Sequence, residues 1–128
     1  MAETIACAAY ETDSVVALSR DQGEPEWLTE RRAEAARAFQ ALPMPTTKLR
    51  PWKYTDVSGL VIDQYSTDES FEPVVSGAAP QGGFAGSLAT AASDATFGPI
   101  IEQHLGTSVP STEGKFIAAN SAQWQQGA

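Results

Sequence analysis

Residues 23–42, Gly23-Glu-Pro-Glu-Trp-Leu-Thr-Glu-Arg-Arg-Ala-Glu-Ala-Ala-Arg-Ala-Phe-Gln-Ala-Leu42, are the most regular stretch of the chain. Glu24-Pro25-Glu26 opens a helix, because proline suits a first helical turn and acids there meet the positive end of the helix dipole. Trp27, Leu28, Ala35, Ala38, Phe39 and Leu42 recur at helical spacing, while Glu30, Glu34 and Arg37 fall mostly on other faces. Pro43 and Pro45 cannot continue the helix, so it stops by Leu42.

Upstream, Thr12-Asp13-Ser14 supplies capping side chains before Val15-Val16-Ala17-Leu18, and Gly23 offers the left-handed backbone that ends a helix. A short helix near 13–22 is expected, after a disordered N-terminus over 1–12. Downstream, between Thr46 and Ile62, Pro51 opens a single helical turn and Gly59 closes it, with Trp52 and Tyr54 as its large groups. These elements make a helical unit over 13–62.

Residues 63–92 then turn to Ser, Thr, Asp, Gly, Pro and Ala with isolated Phe71 and Phe84, and read as a long loop or linker. Within it Gly82-Gly83-Phe84-Ala85-Gly86 is expected as a short extended segment. Asp94 caps a helix carrying Phe97, Ile100, Ile101, His104 and Leu105, stopped by Gly106, although Gly98-Pro99 weakens its start. A last helix runs from about Ser111 or Thr112 through Trp124, with Phe116, Ile117, Ala119, Ala122 and Trp124 as its buried candidates. The fold class is mainly α: two small helical pieces, 13–62 and 93–128, joined by a tether.

The 128 residues suit one domain of ordinary size. Sixteen acids against eight bases give a net charge of −8, which repels phosphate backbones and anionic lipid. The charge is uneven, with net −3 over 1–19, +2 over 20–53 and −7 over 54–128. The start lacks the basic residues and long apolar run of a secretory signal, and no stretch approaches the roughly 20 apolar residues of a membrane span. One cysteine, Cys7, excludes an intramolecular disulfide. A cytoplasmic chain, bound to neither membrane nor nucleic acid, is expected.

The inventory for chemistry is short. Cys7 and His104 are the only thiol and imidazole, far from the four thiolate or imidazole ligands that a zinc or iron-sulfur site demands, and no acidic loop has calcium-binding spacing. Cys7 reads as an ordinary thiol near a frayed end. His104 is the only imidazole base and has no nucleophile motif beside it; a histidine in the last turn before Gly106 suits the negative end of a helix. Asp68-Glu69 lies in the tether as solvated carboxylates. Gly82-Gly83-Phe-Ala-Gly86 lacks dinucleotide spacing, and Gly114-Lys115 is followed by Phe116 where a phosphate loop needs Ser or Thr. The patch of Lys48, Arg50, Trp52, Lys53 and Tyr54 is better explained by packed aromatics with solvated basic neighbours than by base stacking. No enzyme is expected, and neither catalytic nor metal residues are assigned.

Three ordered stretches carry a family resemblance. They are Gly23-Glu-Pro-Glu-Trp-Leu-Thr-Glu-Arg-Arg-Ala-Glu-Ala with Phe39-Gln-Ala-Leu-Pro-Met-Pro-Thr; Trp52-Lys-Tyr-Thr-Asp; and His104-Leu-Gly-Thr-Ser-Val-Pro with Lys115-Phe-Ile-Ala-Ala-Asn-Ser-Ala-Gln-Trp. Together they resemble the N-terminal domain of the SufD family, within the SUF iron-sulfur cluster assembly machinery, over about residues 14–62 and 84–126. The Trp-Lys-Tyr-Thr-Asp piece is similar to SufD rather than to its paralogue SufB.

The resemblance implies a non-enzymatic scaffold subunit that pairs with SufB and works with the SufC ATPase. It implies a helical N-terminal part followed by a right-handed parallel β-helix, before which this chain stops. The family's cluster-related cysteines and histidines and its SufC-binding surface fall beyond these residues, so no cofactor is assigned to this chain alone and the iron-sulfur cluster belongs to the full complex. Phe116, Ile117 and Trp124 would then show an apolar face, with self-association of the isolated chain as the expected result. Trp27, Phe39, Trp52 and Tyr54 are expected in the core; alternatively Trp52, Tyr54 and Asp56 form a partner-facing patch, with Asp56 capping a turn or pairing with Lys53. Two other classes stand beside this one: a free-standing acidic adaptor for an unrelated protein, and a small enzyme built on His104.

Overall fold

The computed structural model describes residues 10–61 and 76–123, and among them the chain is helix and connecting loop without a strand. Five helices follow in order: α1 Thr12–Asp21, α2 Glu26–Ala41, α3 Leu88–Ser93, α4 Phe97–His104 and α5 Lys115–Ala122. Two 3-10 turns, Arg50–Trp52 and Ser111–Glu113, stand in the loops before α3 and α5.

Gly23 ends α1 as the sequence requires. Its φ of 72° lets its N–H reach the Arg20 carbonyl at 3.0 Å while the Glu24 N–H reaches the Ser19 carbonyl at 3.2 Å, a Schellman turn. That turn swings Glu24 back over the end of α1. Pro25 sits just outside α2, and its carbonyl accepts the N–H groups of Leu28 and Thr29 at 3.0 and 3.1 Å. Helix α2 closes at Ala41 before the prolines.

Every packed layer meets α2. Val15 of α1 lies with Ala35, Ala36 and Ala122. Phe39 packs on Ala118 and Ala119 of α5, and Tyr10 stacks on the same ring with centroids 4.7 Å apart. Leu28 meets Leu88 and Ala92 of α3, with Trp27, Ile101 and Leu105 half-buried at the margin. Eight of the twelve buried apolar side chains among the described residues are alanine, which lets α2 and α5 approach closely but buries little area per residue.

Several expectations change against this arrangement. The segment expected as tether ends early: Ser87 caps α3 by accepting the Thr90 N–H at 3.2 Å, and Leu88 is buried. Residues 62–75, with Asp68, Glu69 and Phe71, lie outside the described residues. Gly82 to Gly86 form a turn and irregular loop rather than an extended segment. The two helical pieces share one core, because α5 returns onto α2. Of the N-terminal residues expected as disordered, Tyr10 is packed, and 1–9 lie outside the described residues.

Helix α4 starts at Phe97 with Gly98-Pro99 in its first turn, and Gly98 permits a close approach to the end of α3. A Cβ there would stand 2.5 Å from the Ala92 carbonyl oxygen, so only glycine admits this approach. Asp94 completes the corner, its Oδ1 accepting the N–H groups of Thr96 at 2.8 Å and Phe97 at 3.0 Å.

Candidate protein interface

The candidate surface stands on a polar frame. Arg32 donates from Nε and Nη2 to the two oxygens of the Glu24 carboxylate, both at 2.6 Å, with side chains 3% and 1% exposed. Its Nη1 reaches the Ala122 carbonyl at the end of α5 at 3.3 Å. Ser19 donates to Glu24 Oε1 at 2.6 Å and lies 2.7 Å from the Thr29 hydroxyl. One buried guanidinium thus ties the end of α1, the start of α2 and the end of α5. A charge pair so far from water persists only when its hydrogen bonds are met, and here both carboxylate oxygens are engaged.

Two further cations close helix ends. Lys115 Nζ donates to the carbonyls of Phe39 and Leu42 at 2.6 and 2.9 Å and lies 4.0 Å from the Phe39 ring centroid, which caps α2 from α5. Arg31 lies over the Trp27 ring and donates to the carbonyls of Leu105 and Glu102 at the end of α4. Cations at C-terminal carbonyls answer the negative end of each dipole. Helix α2 thereby uses Arg31 and Arg32 for structure.

The loop after α2 is built from successive tight turns. Leu49, Trp52, Thr55 and Leu60 each donate a backbone N–H to the carbonyl three residues earlier, at 2.9 to 3.0 Å. Trp52 is half-buried, edge-on to Phe116 at 5.5 Å, and pins this loop to α5. Tyr54 is 90% exposed, with Lys53 Nζ 5.2 Å from its ring centroid, which corrects its expected place in the core. Asp56 is exposed and accepts the Ser58 N–H at 2.9 Å, so it caps a turn and has no ion pair with Lys53. That hydrogen bond holds its carboxyl below the usual pKa of 3.8. Of the expected core aromatics, Phe39 is buried, Trp27 and Trp52 are half-buried and Tyr54 stands in solvent.

Beyond Phe116 the surface continues as an open groove between the end of α4 and α5, lined by Leu105, Val109, Phe116 and Ile117 with Asn120 and Ser121. Val109 is exposed at its rim. Phe116 and Ile117, expected as an apolar face, line this groove half-buried while Ala118, Ala119 and Ala122 face α2; Trp124 lies outside the described residues. Sequence reasoning missed Leu105 and Val109 as part of this surface. Val109 between Ser108 and Pro110, an aliphatic residue in a polar turn, was the available signal.

His104 ends α4 with an exposed side chain at the groove margin. Cys7 lies outside the described residues. Among the described residues no group of three or more His, Cys, Asp or Glu could hold a metal ion, and no helix is long and apolar enough to cross a membrane. The groove offers apolar area bordered by the polar groups of Ser108, Asn120 and Ser121. No family model, curated protein or solved structure matches the chain.

Proposed function

We propose that this chain is the N-terminal helical part of a SufD-like scaffold for iron-sulfur cluster assembly, acting in the cytoplasm through contacts with SufB- and SufC-type subunits and without catalysis of its own. The observation that carries the reading is the set of three ordered stretches resembling SufD. Their residues also hold one another: Glu24 and Arg32 pair within the first, Phe39 meets Lys115 of the third, and Trp52 of the second meets Phe116. Tyr54 and Asp56 of the same stretches remain on the surface. The iron-sulfur cluster is then cargo of the full complex, which this chain does not ligate.

The test is a transplant. Residues 1–128 replace the N-terminal helical part of a SufD in a cell dependent on it, and growth under iron limitation is measured with the activity of an iron-sulfur enzyme. Restored growth and activity are expected. A hybrid that accumulates folded and restores neither contradicts the proposal.

A further inference from the structure

The three cations that follow α2 differ from those within it. Lys48, Arg50 and Lys53 are all exposed, and no salt bridge joins them to any described residue. The one acid in residues 46–61 is Asp56, whose carboxylate is turned onto the Ser58 N–H. This loop carries three cations and one acid in a chain of net charge −8. Apolar groups stand among them, with Leu49 47% and Tyr54 90% exposed. Consecutive backbone turns and the Trp52–Phe116 contact hold the loop, so little backbone ordering entropy remains to be lost on binding.

We infer that residues 48–54 recognise an acidic segment of a partner protein, carboxylates meeting Lys48, Arg50 and Lys53 and an apolar side chain seating against Leu49 and Tyr54. The inference rests on the interface reading of Trp52, Tyr54 and Asp56, and is independent of which protein carries the segment. Charge complementarity selects the occupant: the loop carries net positive charge on a chain of net charge −8, which favours an anionic segment here. Protein is favoured over nucleic acid because exposed aliphatic Leu49 lies in the same short loop as Tyr54, the one exposed aromatic ring of residues 48–54, where a strand of bases needs several stacking rings.

Fluorescence anisotropy of a labelled peptide of four Glu-Glu-Leu repeats, titrated with the full chain, tests this against a labelled oligodeoxythymidylate of equal charge. The peptide is expected to bind, to weaken about tenfold or more between low and high salt, and to be lost with Lys48→Glu/Arg50→Glu/Lys53→Glu. Tyr54→Ala should weaken it without altering the circular dichroism or melt. Tighter binding of the oligonucleotide assigns the loop to nucleic acid and overturns the inference. Failure of the folded chain to bind the peptide, or binding indifferent to the triple reversal, overturns it as well. Loss of the SUF reading in the transplant leaves these results unchanged, so the two fail separately.

Discussion

Arg32 grips both carboxylate oxygens of Glu24 across a turn of the chain, with each at 2.6 Å and neither group in water. The Schellman turn at Gly23 makes this meeting possible, and Ala122 receives the remaining guanidinium arm. Removing one partner strands a buried charge. Arg32→Ala should therefore cost about 3–5 kcal/mol in urea unfolding, and Arg32→Lys should recover little, since an ammonium cannot fork to two oxygens and a carbonyl. Glu24→Leu combined with Arg32→Met should regain much of the loss. A single Arg32→Ala that melts like the parent would remove the pair from its structural role.

Lys115 joins α5 to the end of α2 through two carbonyls. Lys115→Met keeps the stem over Phe39 and deletes both bonds, with an expected cost of about 1.5–3 kcal/mol. Hydrogen exchange should quicken first in the last turn of α2 and in α5. Uniform exchange across the molecule would show that the contact is not local to that joint.

Gly98→Ala tests the α3–α4 corner. Backbone, rather than a movable side chain, stands where the new methyl would sit, and about 1–3 kcal/mol of destabilisation is expected. Thermal melting measures it; an unchanged melt would mean that the corner yields freely.

Asp94 and Asp56 give an acid signature. Hydrogen bonds from Phe97 and then Thr96 hold the Asp94 carboxyl below its ordinary 3.8, and the Ser58 bond does the same for Asp56. A lowered folded pKa adds stability that is complete above the unfolded value and is lost as pH falls through the folded one. The melting difference between parent and Asp94→Ala should thus be constant at neutral pH and shrink once pH drops below 3.8. A difference that persists below the folded value would assign the effect to packing.

Trp52 and Tyr54 should separate stability from binding. Trp52→Ala loses a half-buried ring and is expected to cost roughly 1–3 kcal/mol, below the range for a fully buried aromatic. Tyr54→Ala should leave unfolding almost unchanged while weakening the partner contact. Equal losses of stability from the two would put Tyr54 back in the core.

Local chemistry was legible in the sequence. Gly23, the prolines after Leu42, Asp94 and Gly106 each act within a few residues, and α1, α2 and α4 lie close to where those residues put them. The Ser87 cap was present too, but the surrounding Gly and Ser composition hid the short α3. What could not be read was pairing at a distance. Nothing in the order of residues says that Lys115 closes α2 or that Arg32 reaches Ala122, because both depend on alanines bringing α5 close. Of the candidate patch, the sequence offered Trp52, Tyr54 and Asp56; which rings face solvent depends on Phe116, far along the chain.

The most direct measurement is sedimentation velocity of the full chain mixed with a SufB–SufC-type pair, alongside the Tyr54→Ala/Lys53→Glu variant. The account predicts one faster-moving complex containing the chain, absent with the variant, which folds normally. A folded chain that sediments apart from the pair at every concentration would contradict it.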